Sequence, residues 1–148
     1  MTIKGRIRAI SVSKEKGTPK TNVPDAELKA KHGIVGDAHA ANWHRQVSLL
    51  AVESIEKMLA AGAKVSPGDF AENITTEGIK LTALSVGDKL CIGQDVKVEI
   101  TQLGKKCHSR CAIYEQVGDC IMPREGIFAK VVEAGRIKVG DIIELMND

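Results

Sequence analysis

Short runs of branched aliphatic residues, separated by glycine-containing turns, constrain the fold of this chain more than any other feature. Four such runs cover residues 81–84, 89–92, 96–101 and 141–145. Branched side chains pack well on a pleated surface and glycine turns let strands reverse, so each run predicts a strand. Residues 3–13 predict a further strand, because apolar and polar side chains alternate there. Closing so many short strands into a barrel removes their unpaired edges.

Two other segments have the spacing of helices. Residues 54–61 place their apolar side chains on one face, and a short apolar run at 47–52 predicts a buried strand leading into that helix. A second helix is predicted from residue 124 or 125 to 134, where Ile127, Val131 and Ala134 form one stripe. Residues 14–25 predict a loop. The expected fold is therefore α+β and mostly β, a barrel with two principal helices in a single domain spanning residues 1–148.

Composition excludes several classes of protein. Aromatic residues make up 3% of the chain, which predicts an aliphatic core and argues against a platform that stacks nucleic-acid bases. A formal charge of +2, from 21 basic and 19 acidic residues, does not favour nucleic-acid binding. No secretory signal and no apolar run of about 18 residues is present, so we expect no membrane association and a cytoplasmic protein. Cysteines in that compartment stay reduced.

The strongest chemical signal is a basic segment that contains two thiols. It reads Lys105-Lys106-Cys107-His108-Ser109-Arg110-Cys111. Neighbouring positive charges stabilise the thiolate, which is the reactive and metal-binding form of cysteine. Cys120 adds a third thiol nine residues later, whereas Cys91 lies in an apolar run and is interpreted as a core residue. Ordinary buried thiols are the alternative, since free cysteine packs well.

Zinc is a competing interpretation of the same segment. Cys107, Cys111, Cys120 and His108 offer four donors. Structural zinc ligands usually form two separated close pairs, and this spacing fits that pattern poorly. A zinc-stabilised binding module nevertheless remains an alternative.

Two further segments carry candidate binding residues. The first, residues 33–50, contains Arg45, whose guanidinium fork matches the geometry of phosphate or carboxylate, although a structural salt bridge is an equal alternative. The second, residues 67–75, follows a Pro-Gly-Asp turn and contains Asn73 and Thr75. An amide and a hydroxyl of this kind can bind the heterocycle or phosphate of a ligand.

Five segments in order resemble the MOSC domain, named for the C-terminal domain of molybdenum cofactor sulfurases. They are Gly33-Ile-Val-Gly-Asp-Ala-His39, Arg45-Gln-Val-Ser-Leu-Leu50, Pro67-Gly-Asp-Phe-Ala-Glu-Asn-Ile74, Val86-Gly-Asp-Lys-Leu-Cys-Ile-Gly93, and Thr101-Gln102 followed by Cys107. The resemblance spans about residues 30–145 and implies a β-barrel that binds the molybdopterin form of the cofactor. It also implies a cysteine that carries sulfur or ligates molybdenum. Cys107 has the spacing of a stand-alone bacterial group, whereas Cys111, preceded by Arg110, resembles the mitochondrial amidoxime-reducing component.

Together these observations predict a molybdopterin-binding protein that acts in sulfur transfer, carriage or maturation of the cofactor. Cys107 or Cys111 would be the catalytic thiol and the molybdenum ligand, and a sulfur donor or a molybdoenzyme would be a partner. The predicted cofactor-binding residues are Arg45, Asn73, Thr75, Lys105, Lys106 and His108. The alternative is a molybdenum-dependent reductase of N-hydroxylated compounds, which needs an external electron-donor protein. The stand-alone bacterial group that this chain resembles usually has a proline and an arginine after the glutamine. This chain has Leu103 and Gly104 there, which argues against reductase activity more than against cofactor binding.

Overall fold

The computed structural model describes residues 3–16, 18–104 and 125–146, and a strand-built barrel dominates them. In chain order the strands are β1 Lys4–Val12, β2 Thr21–Val23, β3 Asp25–Lys29, β4 Gly33–Ile34, β5 Val47–Ala51, β6 Ile74–Glu77, β7 Lys89–Ile92, β8 Val96–Leu103, β9 Ile127–Glu133, β10 Gly135–Lys138 and β11 Ile142–Leu145. One α-helix with defined bounds, α1 Val52–Ala60, and a 3₁₀ turn at Leu81–Ala83 lie between them.

Seven of these strands close the barrel. Their order is β11-β7-β8-β9-β5-β6-β1, and β11 pairs with β1 to complete the circle. The closing pair is antiparallel, with Gly5 opposite Ile143. The mostly β barrel predicted from the sequence is thereby confirmed, as are the strands at 89–92, 96–101 and 141–145 to within two residues.

The barrel interior is aliphatic. The largest group of buried side chains in the described ranges consists of isoleucine, leucine, valine and alanine. In β8 the buried residues Val96, Val98 and Ile100 alternate with partly exposed ones, which is the period of a strand with one face on a core. Burying each such side chain stabilises the fold by about 1.5–3 kcal/mol. These residues form the aliphatic core that the scarcity of aromatic residues predicts.

Helix α1 connects two parallel strands. β5 and β6 pair in parallel, and a parallel connection needs a crossover, which α1 supplies. Its buried residues Ile55 and Met58 pack outside the barrel against Leu50, Phe70 and Phe128. The helix ends at Ala60, and Gly62 follows with a φ of 102°, a conformation that glycine adopts readily. This helix confirms the first of the two predicted ones.

The second predicted helix is wrong. Residues 127–133 form strand β9, which lies between β5 and β8 in the barrel. Ile127, Ala129 and Val131 face the barrel core, whereas Phe128 on the opposite face joins the cluster around α1. A strand buried on both faces has no clean alternation, so its apolar residues also fit a helical stripe. The run at 81–84 is likewise a 3₁₀ turn at Leu81–Ala83 rather than a strand.

A small second sheet lies beside the barrel, in the order β10-β3-β4. None of its three strands was predicted from the sequence. Strand β2 of the larger sheet falls inside the predicted loop at 14–25, where it pairs with the end of β1. Helix α1 has nine residues, and no helix in the described part of the chain has the length and apolar character that a membrane crossing requires.

Candidate functional site

A β-bulge near the end of β8 shapes the candidate site. The pairing of β8 with β9 shifts by one residue between Ile100 and Gln102, so Thr101 is an extra residue in the ladder. The Thr101 hydroxyl donates to the backbone carbonyl of His44 and lies 3.2 Å from the carbonyl oxygen of Phe128. Bulges re-aim the side chains beside them. This one brings the end of β8 against the segment that precedes β5.

The side chain of Gln102 joins three groups at this point. Its Oε1 accepts a hydrogen bond from Arg45 Nε at 3.1 Å and lies 3.2 Å from His44 Nε2. Its Nε2 donates to the backbone carbonyl of Gly104 at 2.7 Å. A guanidinium only donates and a carbonyl only accepts, so these contacts determine which end of the amide is oxygen. His44 Nε2 therefore also donates to Gln102.

The guanidinium of Arg45 lies between aromatic rings. Its Cζ is 5.2 Å from the centroid of the Phe128 ring and 6.0 Å from that of Trp43, distances typical of cation–π contacts. The ammonium of Lys16 lies 5.1 Å from the same Trp43 ring. Among the described residues, neither Nη group of Arg45 has a hydrogen-bond or salt-bridge partner. The structural salt bridge considered for Arg45 is therefore not formed within those residues.

A buried charge cluster lies next to Trp43 and contacts it through His39. The indole Nε1 of Trp43 donates to the carbonyl of His39 at 2.8 Å. The ammonium of Lys20 donates to Asp37 Oδ1 at 2.7 Å, to Ser13 Oγ at 3.1 Å, and contacts His39 Nδ1 at 3.0 Å. The side chains of Lys20 and Asp37 are both 0% exposed. An ammonium has no acceptor, so His39 Nδ1 must accept, and neutral His39 carries its proton on Nε2.

The charge state of Asp37 follows from these partners. Burial by itself raises the pKa of Asp37, but the hydrogen bond and positive charge of Lys20 and the backbone N–H of Ser13 act in the opposite direction. Their sum holds the pKa of Asp37 below its ordinary value of 3.8. The Asp37 carboxyl is thus ionised at neutral pH, and its contact with Lys20 connects the 13–20 segment to the 37–39 segment.

A second polar cluster involves Asn73 and Thr75, both 0% exposed. Asn73 Oδ1 accepts from the backbone N–H of Ser48 at 3.0 Å, and Asn73 Nδ2 donates to the carbonyl of Ser11 at 3.1 Å. Thr75 donates to Glu72 Oε2 at 2.9 Å. The polar atoms of both predicted ligands are thus bonded to protein groups, and their contact with a cofactor stays a prediction.

The buried carboxylate of Glu72 holds the preceding turn. It accepts from the backbone N–H groups of Gly68 and Phe70 at 2.9 and 3.2 Å, in addition to the Thr75 hydroxyl. Burial, which outweighs these hydrogen bonds, raises the pKa of Glu72 above its ordinary value of 4.5. This carboxylate therefore shapes the turn at a cost in desolvation.

The predicted thiol segment begins just beyond Gly104. Cys107, Cys111, Lys105, Lys106 and His108 lie outside the described residues, as does Cys120, so their predicted roles stay predictions. Cys91, interpreted as a core residue, lies in β7 with its thiol half-buried and 3.8 Å from the carbonyl of Gly93. Within the described ranges no group of three or more potential ligands could hold a metal ion.

A cleft of about 250 Å³ lies beside the start of α1 and includes Glu125, the first residue described after the thiol segment. Ser54 Oγ donates to Glu125 Oε1 at 2.6 Å, and Lys57 Nζ lies 2.8 Å from Glu125 Oε2. The residues that flank the thiol segment on both sides are therefore held by specific polar contacts. The sequence predicted Arg45 as a binding residue but not the contacts of Gln102, His44 and Lys20. The only sequence signal for these residues was that they lie within or near the recognised motifs.

Comparisons with known proteins agree with this architecture. The MOSC domain family model matches residues 36–144. The chain is similar to the YuaD protein from Bacillus subtilis, with a TM-score of 0.80 at 16% identity, covering 98% of this chain and 97% of that one. It is also similar to YiiM from Geobacillus stearothermophilus (0.71, 20% identity, 97% and 75% covered) and to YiiM from Escherichia coli (0.66, 18%, 97% and 70%). No curated protein matches the sequence.

Proposed function

Because this chain belongs to the MOSC domain family, which is associated with the molybdenum cofactor, we propose that it binds the molybdopterin form of that cofactor and handles its sulfur. The reactive group is Cys107 or Cys111, as a molybdenum ligand or as the carrier of a persulfide. A soft thiolate suits either task. A cysteine-bearing sulfur donor and a molybdoenzyme that receives the cofactor are the partners such a protein needs, and the cytoplasm is where both would be met.

The observation that supports this proposal most is the state of Arg45. Its Nε is occupied by Gln102, its face lies over Phe128, and both Nη groups lack a partner among the described residues. A half-buried guanidinium that no described acid neutralises suits a phosphate, which it can contact with two parallel N–H groups. The residues present therefore fit the phosphate end of a molybdopterin, which when bound supplies a metal centre able to accept sulfur ligands.

Chain connectivity limits how far Cys107 can lie from the end of β8, where Gln102 contacts Arg45. Gly104, whose carbonyl accepts from Gln102, is three residues before Cys107, and three residues span at most about 11 Å. In this proposal Lys105 and Lys106, the next two residues in the sequence, add positive charge for the same phosphate, and His108, which follows Cys107 in the sequence, is a further cofactor-binding residue. A direct contact of Asn73 or Thr75 with the cofactor would require each to exchange its present hydrogen bonds, so in this proposal the two residues act by holding β6 and the residue before it in place.

The test is the molybdenum and pterin content of the protein purified from a host that produces the cofactor. We expect both in the parent protein, and loss of molybdenum in either Cys107→Ser or Cys111→Ser. Cys91→Ser is the matched control, because Cys91 is a half-buried thiol in β7 and lies outside the basic segment. Arg45→Met should lose pterin, whereas Arg136→Met should not, since Arg136 is an exposed residue paired with Asp25.

The outcomes separate the alternatives. Stoichiometric zinc without pterin, with folding lost in the cysteine variants, would support a zinc-stabilised module and overturn the proposal. Molybdenum and pterin together with turnover of a hydroxylamine, supplied with electrons by a flavoprotein, would show a reductase. Neither metal nor pterin after incubation with free cofactor would leave the proposal without support.

A further inference from the structure

The amide of Gln102 is hydrogen-bonded at both ends, to Arg45 and to the backbone of Gly104. The bulge at Thr101 aims Gln102 towards the segment before β5, where its oxygen accepts from Arg45 Nε and its nitrogen donates to the Gly104 carbonyl. We propose that Gln102 is a positioning residue that presents the Arg45 guanidinium to a phosphate-type oxyanion. This inference rests on the proposed function and names the residue that prepares its anion contact.

The first argument is geometric. The five N–H groups of a guanidinium lie in one plane. Gln102 holds the Nε edge at 3.1 Å, and the ring of Phe128 lies under the cation, with Cζ 5.2 Å from its centroid. The hydrogen bond limits rotation of the guanidinium within its own plane, and the Phe128 ring limits tilting of that plane. Among the described residues the two Nη groups have no partner, and they form the end of the guanidinium that engages a phosphate in a bidentate manner.

The second argument concerns charge. An acid in place of Gln102 would hold Arg45 equally well but would neutralise it. A neutral amide fixes the cation and leaves its full charge for the ligand. His44 Nε2 lies 3.2 Å from the same oxygen, so the amide accepts two donors at once and gathers guanidinium and imidazole around one atom.

The third argument is that the amide is itself held at its other end. Its Nε2 donates to the Gly104 carbonyl at 2.7 Å, which prevents the side chain from rotating away from Arg45. Gly104 is in turn held by its backbone N–H, which donates to the Gly126 carbonyl at 2.7 Å. Gln102 therefore connects Arg45 to the barrel. Because the Arg45 side chain is already ordered before a ligand binds, binding loses less side-chain entropy.

The chain contains a natural reporter for the test. Trp43 is the only tryptophan, and Arg45 Cζ lies 6.0 Å from its ring, so its fluorescence should respond when an anion binds Arg45. We would titrate the full chain with inorganic phosphate, in the parent and in Gln102→Met, Gln102→Glu, Arg45→Lys and the double variant Arg45→Lys with Gln102→Met. Gln94→Met is the matched control, since Gln94 is an exposed residue outside the site. Thermal unfolding of each variant shows whether it is folded.

We expect Gln102→Met to weaken phosphate binding by about fivefold, from the loss of one ordering contact on a long side chain. Gln102→Glu should weaken it further, because its carboxylate compensates the Arg45 charge. Arg45→Lys should cost about tenfold, since the ammonium keeps the charge but loses the fork and the Nε–H. In the Arg45→Lys background, Gln102→Met should change the affinity by less than about twofold, because its effect acts through the guanidinium. Gln94→Met should bind like the parent.

Three results of the phosphate titration would overturn the inference. The first is parent-like phosphate affinity in Gln102→Met. The second is an equal loss of affinity in both backgrounds, which would make Gln102 a residue that merely supports the fold. The third is a parent protein that gives no response to phosphate. Cofactor binding that depends on Arg45 but not on Gln102 would remove this inference alone, whereas absence of molybdenum and pterin from every variant would remove the proposed function as well.

Discussion

Replacing Lys20 with methionine should destabilise the protein more than any other single lysine substitution in the described ranges. Methionine nearly matches the length of lysine, so little cavity forms, but all three contacts of the ammonium, to Asp37, Ser13 and His39, are lost. The carboxylate of Asp37, 0% exposed, then keeps the backbone N–H donors of Ser13 and His39 and the side chain of Asn73, but has no positive partner. Removing one partner of a buried pair costs about 3–5 kcal/mol, a large part of a typical total stability of about 5–15 kcal/mol.

Equilibrium unfolding in urea measures this loss. With a slope of about 2 kcal/mol per molar, the midpoint should fall by about 1.5–2.5 M. Lys97→Met is the matched control: Lys97 pairs with Glu133 at 3.1 Å, but the two side chains are 35% and 54% exposed, so the cost should stay below about 1 kcal/mol. Adding Asp37→Asn to Lys20→Met should recover part of the loss, because the unpaired charge disappears. If Lys20→Met and Lys97→Met shift the midpoint equally, the reasoning from burial is wrong.

The same variant has a predictable pH dependence. In the parent, the pKa of Asp37 is lower in the folded protein than its ordinary value of 3.8, so ionised Asp37 stabilises the fold at any pH above 3.8. This contribution is lost as the pH falls through the folded-state pKa. Without Lys20, burial dominates and the carboxylate becomes unfavourable at neutral pH. The difference in unfolding free energy between parent and Lys20→Met should therefore narrow on acidification. A constant difference from pH 7 to pH 4 would contradict the assignment of Lys20 as the partner that keeps Asp37 ionised.

Two further predictions concern the turn before β6. Burial raises the pKa of Glu72 above 4.5, so the folded protein holds a proton more tightly than the unfolded chain, and the parent should lose stability as pH rises above 4.5 towards the folded-state pKa. Glu72→Gln should remove that slope in urea unfolding measured across this range, and an unchanged slope would refute the assignment. Gly68→Ala should cost about 2 kcal/mol more than Gly36→Ala, measured by the same unfolding assay. Both glycines have positive φ, 99° and 89°, but an added Cβ meets the Lys20 carbonyl at 2.5 Å only at Gly68, whereas nothing lies within 4 Å at Gly36. Equal costs would mean that the turn relaxes around the methyl group.

Local patterns predicted the strands with one face on the core and the wholly apolar strand β5, but they did not predict β9, which is buried on both faces, or β3, whose outer face is charged. β8 alternates cleanly, so its period was visible. β9 carries Phe128 towards α1 and Ile127 towards the barrel, and that second layer of packing is not encoded in local periodicity. β3 also alternates, but three of its five residues are charged and exposed, and it follows Pro24, which together indicate a loop.

The candidate site was predictable in its residue types and not in its contacts. A guanidinium at Arg45 indicated an anion from chemistry alone. The contact of Gln102 with Arg45 depends on the bulge at Thr101. This one-residue shift of register cannot be predicted from the residue types in β8. Lys20 was not predicted because lysine is almost always solvated, and only the fold shows that it is surrounded by acceptors.

The pairing of β1 with β11 has a consequence for how the protein is made. Ile3 accepts from the backbone N–H of Leu145 at 2.8 Å, and Lys4 lies opposite Glu144. During synthesis on a ribosome, β1 emerges first and must wait for almost the entire chain before its last neighbour exists. Until then β1 and β7 each present an unpaired edge, which invites pairing with other nascent chains. The barrel should therefore close only once β11 has been synthesised, and the yield of folded protein in cells should depend on how well the open edges of β1 and β7 are shielded until then.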